Sequence, residues 1–282
     1  MQILAIQLNI ILLLIAVSIG VSVAQDRSQS RLGGLLATKP VVVHLEKYGF
    51  GSATFVSHRD SDLSSATFGF EMCVLEVPKG NGKVRVMDLR VSKSPTEIFE
   101  SAFPESTIGA MTGGFFGVDA RGNPIPLGLV KSDGKIISQR HPWTSGGVVA
   151  HSENRVEIVP ILKFASPSRY SDIVQSKPML VEGGQDGIRR DTGDRFDRSA
   201  IAIDSDGSLF FFVIYEPAGN AASLAEFSNL ILTYRSQAGL GAIDFALAMD
   251  GGPGAHMYLP ALKKHCGAGI PTYIPNALYV TK

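Results

Sequence analysis

The chain has 282 residues, 45% of them hydrophobic and 18% charged, and its 26 Lys and Arg balance 26 Asp and Glu. This composition supports a sizeable core and excludes intrinsic disorder. It also excludes a polybasic surface for nucleic acid or membrane, which needs clustered positive charge, but not a small polar or locally anionic substrate met by a few arginines.

The first predicted element is a targeting segment. Residues 10–17 (IILLLIAV) form an unbroken apolar run, and Ser22, Val23 and Ala24 supply the small residues a signal peptidase reads, although no Lys or Arg precedes the run. The expectation is a signal peptide over 1–24, export to a periplasmic or extracellular compartment, a mobile segment over 25–39 and one domain over 40–282 without a transmembrane helix. The only cysteines, Cys73 and Cys266, are not in Cys-x-x-Cys spacing. In an oxidising compartment they form one disulfide or remain as two buried thiols.

Strands are predicted at residues 41–45, 68–77 and 83–89, the last two joined as a hairpin by the Pro-Lys-Gly-Asn-Gly turn at 78–82. Ser94, Pro95 and Glu97 then spell a capped helix start, with Ile98, Phe99 and Phe103 as its buried face. Residues 110–117 (AMTGGFFG) place Gly113 and Gly114 beside two phenylalanines, either as a backbone contact walled by aromatics or as a bulge in the core. Further hairpins are predicted around Asp133-Gly134 and around residues 152–154.

Residues 175–184 (QSKPMLVEGG) end an apolar run in Glu182 and two glycines. The mixed-charge stretch after it reads as a solvated loop, but Arg198 directly precedes an apolar strand and can be pinned by the sheet. Residues 204–208 turn that strand into 209–215. Ser223 and Glu226 form a capping box for a second helix, with Leu224, Phe227, Leu230, Ile231 and Tyr234 at helical spacing. Last comes FALAMDGGPG at 245–254, a strand buried on both faces that carries Asp250 to its end, where Gly251, Gly252 and Gly254 leave the backbone bare. Together these elements predict a single α+β domain, a largely antiparallel sheet built from hairpins with two main capped helices.

The six histidines show no paired zinc spacing, and there is no calcium loop, Walker loop or Gly-x-Ser-x-Gly elbow, so neither a metal nor a cofactor is predicted. His256, close after Asp250, can line a site. What remains is carboxylates, glycine-lined backbone and Arg198, which suit cleavage of a glycosidic bond. They suit a sugar phosphodiester especially: phosphate leaves as a stable anion, so a bidentate guanidinium replaces much of a general acid, and glycine N–H groups can hold phosphoryl oxygens.

Five stretches in order resemble the phosphodiester glycosidase domain family: MTGGFFG at 111–117, QSKPMLVEGG at 175–184, RSAIAIDSDG at 198–207, ASLAEFSNLIL at 222–232 and AMDGGPGAHMYLP at 248–260. The resemblance implies one pocket around Asp250, Arg198, Gly113, Gly114, Gly251 and Gly252, with Glu182 and Asp204 as neighbours. Asp250, Arg198 and Glu182 are the catalytic candidates, and Thr112, Gly113, Gly114, Gly251, Gly252, Asp204 and His256 the substrate-binding ones. The implied activity is hydrolysis of a sugar 1-phosphodiester in envelope or exported polysaccharide. The sequence departs from the family at Thr112, where asparagine is common, and at Gly254-Ala255, where a serine often follows. Those departures support a second reading, a non-catalytic carbohydrate-binding or exopolysaccharide-assembly protein.

Overall fold

The computed structural model describes residues 42–48, 51–58, 70–90, 102–153, 155–237, 241–269 and 273–282. The expected signal peptide, the segment expected to follow it and the expected helix start at Ser94 lie outside them. Strands are numbered in chain order. In the largest sheet, β1 (Val42–Tyr48), β2 (Gly51–His58) and β3 (Phe70–Val77) are followed by β16 (Leu209–Tyr215), β15 (Arg198–Asp204), β17 (Ile243–Ala248), β13 (Met179–Glu182) and β14 (Gln185–Asp186). A second sheet has the order β11 (Arg155–Pro160), β10 (Gly147–Ser152), β12 (Asp172–Ser176), β8 (Val130–Ser132) and β9 (Lys135–Ser138). The third runs β19 (Lys264–Cys266), β18 (Met257–Leu259), β5 (Thr107–Thr112), β20 (Asn276–Thr281) and β4 (Lys83–Asp88). A two-stranded ribbon pairs β6 (Phe116–Val118) with β7 (Pro124–Pro126).

The run LFFFVIY of β16 shows why these residues make sheet. Successive side chains point to opposite faces, so a strand covered on both sides needs no polar alternation. Leu209, Phe211 and Val213 join the main core with Leu75, Ile201 and Leu247 of their own sheet and Met111 and Leu278 of the third. Phe210 and Phe212 are buried on the other face, where Phe212 meets Tyr234 edge-on at 5.6 Å. Tyr234 belongs to helix α1 (Leu224–Gln237), which buries Phe227, Leu230 and Ile231. Each such side chain contributes about 1.5–3 kcal/mol by leaving water. The helix start is the predicted capping box: Ser223 Oγ accepts the Glu226 N–H at 3.2 Å, and Glu226 Oε2 accepts the Ser223 N–H at 2.9 Å.

Two expectations are corrected. The α+β class with two main helices gives way to a mainly β fold: among the described residues there are four antiparallel sheets and one α-helix. The hairpin-rich sequence closes sheet against sheet, and the capped helix α1 covers the outer face. The turn at 78–82 does form, with the Asn81 N–H on the Pro78 carbonyl at 3.0 Å, but it does not make a hairpin. It hands the chain from β3, paired with β2 and β16, to β4, paired with β20 in another sheet. The turns expected around Asp133, residue 153 and Asp206 do join paired strands. Cys73 on β3 and Cys266 on β19 are disulfide-bonded across a sequence separation of 193, tying the first and third sheets. Among the described residues no helix is long and apolar enough to cross a membrane.

Candidate functional site

The site is built where β17 leaves its sheet. Leu247 and Met249 anchor in the core, and the Met249 N–H still bonds the Ser199 carbonyl of β15 at 2.9 Å. One residue later the backbone changes partner: the Asp250 N–H donates to the Gly113 carbonyl at 3.0 Å, just past the end of β5. Ser199 Oγ donates to the Asp250 carbonyl at 2.6 Å. Asp250 is thus fixed between the first and third sheets, and the chain turns into a single 3-10 turn, Gly252–Gly254. Gly252 needs its glycine, since its φ is +58°.

The Asp250 side chain is mostly enclosed. Burial pushes its carboxyl up to about 7, against the opposing pull of the Gly251 N–H bonded to it. Near neutral pH both protonation states are therefore present, which suits a group that takes up or gives a proton.

Arg198 is the first residue of β15, and β15 runs antiparallel to β17. The start of one strand therefore lies beside the end of the other. The guanidinium donates from Nε to the Ala222 carbonyl at 3.1 Å and from Nη2 to the Asp194 carbonyl at 2.9 Å. These bonds orient the group without neutralising it. Phe196 lies under it, 5.1 Å from ring centroid to guanidinium carbon, and remains 48% exposed. Burial lowers the Arg198 pKa, with Asp191 and Asp194 opposing, and arginine stays charged throughout the range where proteins fold.

Asp250, Arg198, Gly251 and Gly252 line one cavity of about 580 Å³, together with Lys177, Phe115, Ser145 and Phe196. Lys177 precedes β13, also antiparallel to β17, so its strand start reaches the same edge. Its ammonium sits 5.1 Å from the centroid of Trp143, whose ring lies tilted against His141 at 4.6 Å and meets Phe115 edge-on. Sequence reasoning missed Lys177 and Phe196, whereas Phe115 is one of the two phenylalanines read as an aromatic wall beside Gly113 and Gly114. A signal for Lys177 existed: it opens the same apolar run that Glu182 closes.

The remaining predicted site residues are placed elsewhere. Glu182 does not approach Asp250: it is exposed, pairs with Phe245 across the sheet and contacts Lys163 at 3.3 Å. Asp250 lies five positions after Phe245, about 17 Å at the usual rise of a strand. Asp204 closes β15 at that same far end, where it is buried and accepts the Asp206 and Ser208 N–H groups of the turn. His256 is buried behind the loop, with Nδ1 3.0 Å from the Gly269 carbonyl and Nε2 3.0 Å from His265 Nδ1. A carbonyl can only accept, which makes Nδ1 the protonated nitrogen, and burial lowers this imidazole to about 4. Thr112 is fully buried and its hydroxyl donates to the Gly254 carbonyl, clamping the loop from beneath.

The glycine amides are also committed. Gly113 donates to the Asn276 carbonyl at 3.0 Å, Gly114 to Asn276 Oδ1 at 2.9 Å, Gly252 to the Asp197 carbonyl at 2.8 Å and Gly254 to the Gly251 carbonyl at 3.2 Å. The expected backbone cradle for phosphoryl oxygens is thus not on offer, and cationic side chains are what this cavity presents to an anion. Among the described residues no group of three His, Cys, Asp or Glu side chains is placed to hold a metal ion.

The phosphodiester glycosidase profile matches residues 105–281. No curated protein matches the chain. Among solved structures, the catalytic domain of zebrafish N-acetylglucosamine-1-phosphodiester alpha-N-acetylglucosaminidase, auto-inhibited by its pro-peptide, is similar with a TM-score of 0.61 at 14% identity, covering 88% of this chain and 90% of that one. A hypothetical protein from Synechocystis is similar with a TM-score of 0.55 at 15% identity, covering 87% of this chain and 65% of that one. At these identities the structural likeness speaks for the fold, and the profile, spanning β5 to β20 with the Asp250 loop between them, speaks for the family: the chain belongs to the phosphodiester glycosidases.

Proposed function

We propose that the protein is an exported hydrolase that cleaves the glycosidic bond of a sugar 1-phosphodiester in envelope or exported polysaccharide. The observation that carries this reading is the pairing, in one cavity, of a single buried carboxylate with two cationic side chains, Asp250 with Arg198 and Lys177. Arg198 and Lys177 hold the phosphate, and the exposed ring of Phe196 borders the same cavity and offers an apolar face to the sugar or its aglycone. Asp250 in its ionised form takes a proton from water as the water oxygen attacks the anomeric carbon. The anomeric carbon–oxygen bond breaks, and its electrons leave on a phosphate oxygen that needs no proton because both cations face it. The products are a free sugar and a phosphomonoester. Export rests on the signal peptide expected over residues 1–24 from its apolar run and small residues.

One observation favours the second reading, a carbohydrate-binding protein without turnover: Asp250 is the only carboxylate lining the cavity among the described residues. Incubation of the purified protein with a panel of sugar 1-phosphodiesters separates the two. Release of sugar, lost in Asp250→Asn, supports the hydrolase; saturable binding of the same compounds with no release supports the binding protein.

A further inference from the structure

A second cavity, of about 400 Å³, lies at the opposite end of the large sheet. Ile203 of β15 lines it, five residues along the strand from Arg198, so the two cavities are about 17 Å apart at the usual rise. Among the described residues lining it are three cationic side chains, Lys79, Lys83 and Arg155, and one carboxylate, Glu153, in a chain whose formal net charge is zero. Glu157 engages Arg155, so the two exposed lysines carry the field into the cavity.

The wall behind them holds His151, which is only 5% exposed. Its Nδ1 lies 3.9 Å from Asp172 Oδ2 and 3.5 Å from Ser171 Oγ. Asp172 is itself fixed by the Val86 N–H at 3.0 Å, Ser171 Oγ at 2.7 Å and Arg85 Nε at 3.1 Å. The ring is therefore held from its Nδ1 side where it lines the cavity. The turn glycine Gly80 lines the same space, and a Cβ there would meet nothing within 4 Å.

We propose that this cavity is a second binding site, for a tetrahedral oxyanion such as a phosphate group. Lys79 and Lys83 supply the charge, and His151 forms the wall between Asp172 and the anion. The site is separate from the Asp250 cavity and stands whether or not that cavity turns over substrate.

The test is an amide NMR titration of the purified protein with inorganic phosphate and, in a parallel arm, glucose 6-phosphate. The expected result is saturable shifts at Gly80, Gly82, His151 and Gly207, with affinity at least tenfold weaker in the Lys79→Gln, Lys83→Gln double variant and restored in the Lys79→Arg, Lys83→Arg pair. Equal affinity for the two probes assigns the site to a bare oxyanion, and tighter glucose 6-phosphate assigns it to a phosphorylated sugar. Shifts confined to residues around Arg198 and Asp250, no shifts at all, or unchanged affinity in the glutamine pair would overturn the proposal.

Discussion

A Cβ placed on Gly254 would lie 2.5 Å from Oδ2 of Asp250. The Asp250 carboxylate occupies the space that a side chain at residue 254 would need. Read as sequence, Gly254 is a missing serine and a lost polar contact; in the structure it is room for the acid. Gly254→Ser should therefore displace the carboxylate and lower kcat/KM for a sugar 1-phosphodiester by at least about tenfold, since small misplacements of a reacting group are expensive. Unchanged kinetics in a folded Gly254→Ser variant would show that the carboxylate is not confined in this way.

Asp250→Asn should reduce turnover by about 10²–10⁴-fold, the range of a lost general base. It should also stabilise the fold, and the sign follows from linkage. Burial raises the Asp250 carboxyl to about 7, so between pH 4 and 7 the folded state binds more protons than the unfolded one, and stability falls as pH rises. Asp197, raised to about 6 by burial, acts in the same direction. Thermal melts should show Asp250→Asn gaining more over the parent at pH 8 than at pH 4. In the parent, kcat/KM should rise with pH through about 7 as the base ionises; a profile flat across that range removes the base role from Asp250.

The two cations should separate by substrate. Lys177→Ala and Arg198→Lys should each slow hydrolysis of a sugar 1-phosphodiester at least tenfold more than hydrolysis of an aryl glycoside of the same sugar, because only the former presents a phosphate. Arg198→Lys is preferred to alanine, since the guanidinium also holds the Ala222 and Asp194 carbonyls. Equal losses on both substrates would make these residues structural.

The Cys73–Cys266 bond closes a long loop between two sheets. A Cys73→Ser, Cys266→Ser variant should lose about 2–5 kcal/mol of stability, through a less constrained unfolded chain. Denaturant melts with and without reductant measure it. A reductant-insensitive parent would mean that the bond contributes nothing.

Local chemistry was legible in the sequence, and long-range pairing was not. The capping box of Ser223 and Glu226 and the apolar strand ending in Asp250 are written in neighbouring residues, so both could be read directly. Glu182 closes an apolar run just as Asp250 does, but β13 is antiparallel to β17, which sends the two carboxylates to opposite ends of the sheet. The same rule explains Asp204 and, reversed, brings Arg198 and Lys177 to Asp250, because strand starts meet a strand end. The 78–82 turn shows the complementary limit: turn residues specify the reversal of the chain, whereas the partner of the next strand is chosen by packing. The polar commitments of Thr112 and His256 were likewise invisible, since their partners, the Gly254 and Gly269 carbonyls, are set by the folded loop.

The central claim is that water attacks the sugar and the phosphate leaves, and hydrolysis in ¹⁸O-labelled water tests it most directly. With a sugar 1-phosphodiester as substrate, the label should appear in the released sugar, with none in the phosphomonoester, and Asp250→Asn should slow its incorporation by the same factor as turnover. Label in the phosphate instead would mean attack at phosphorus, contradicting a glycosidase mechanism and the leaving-group role given to Arg198 and Lys177.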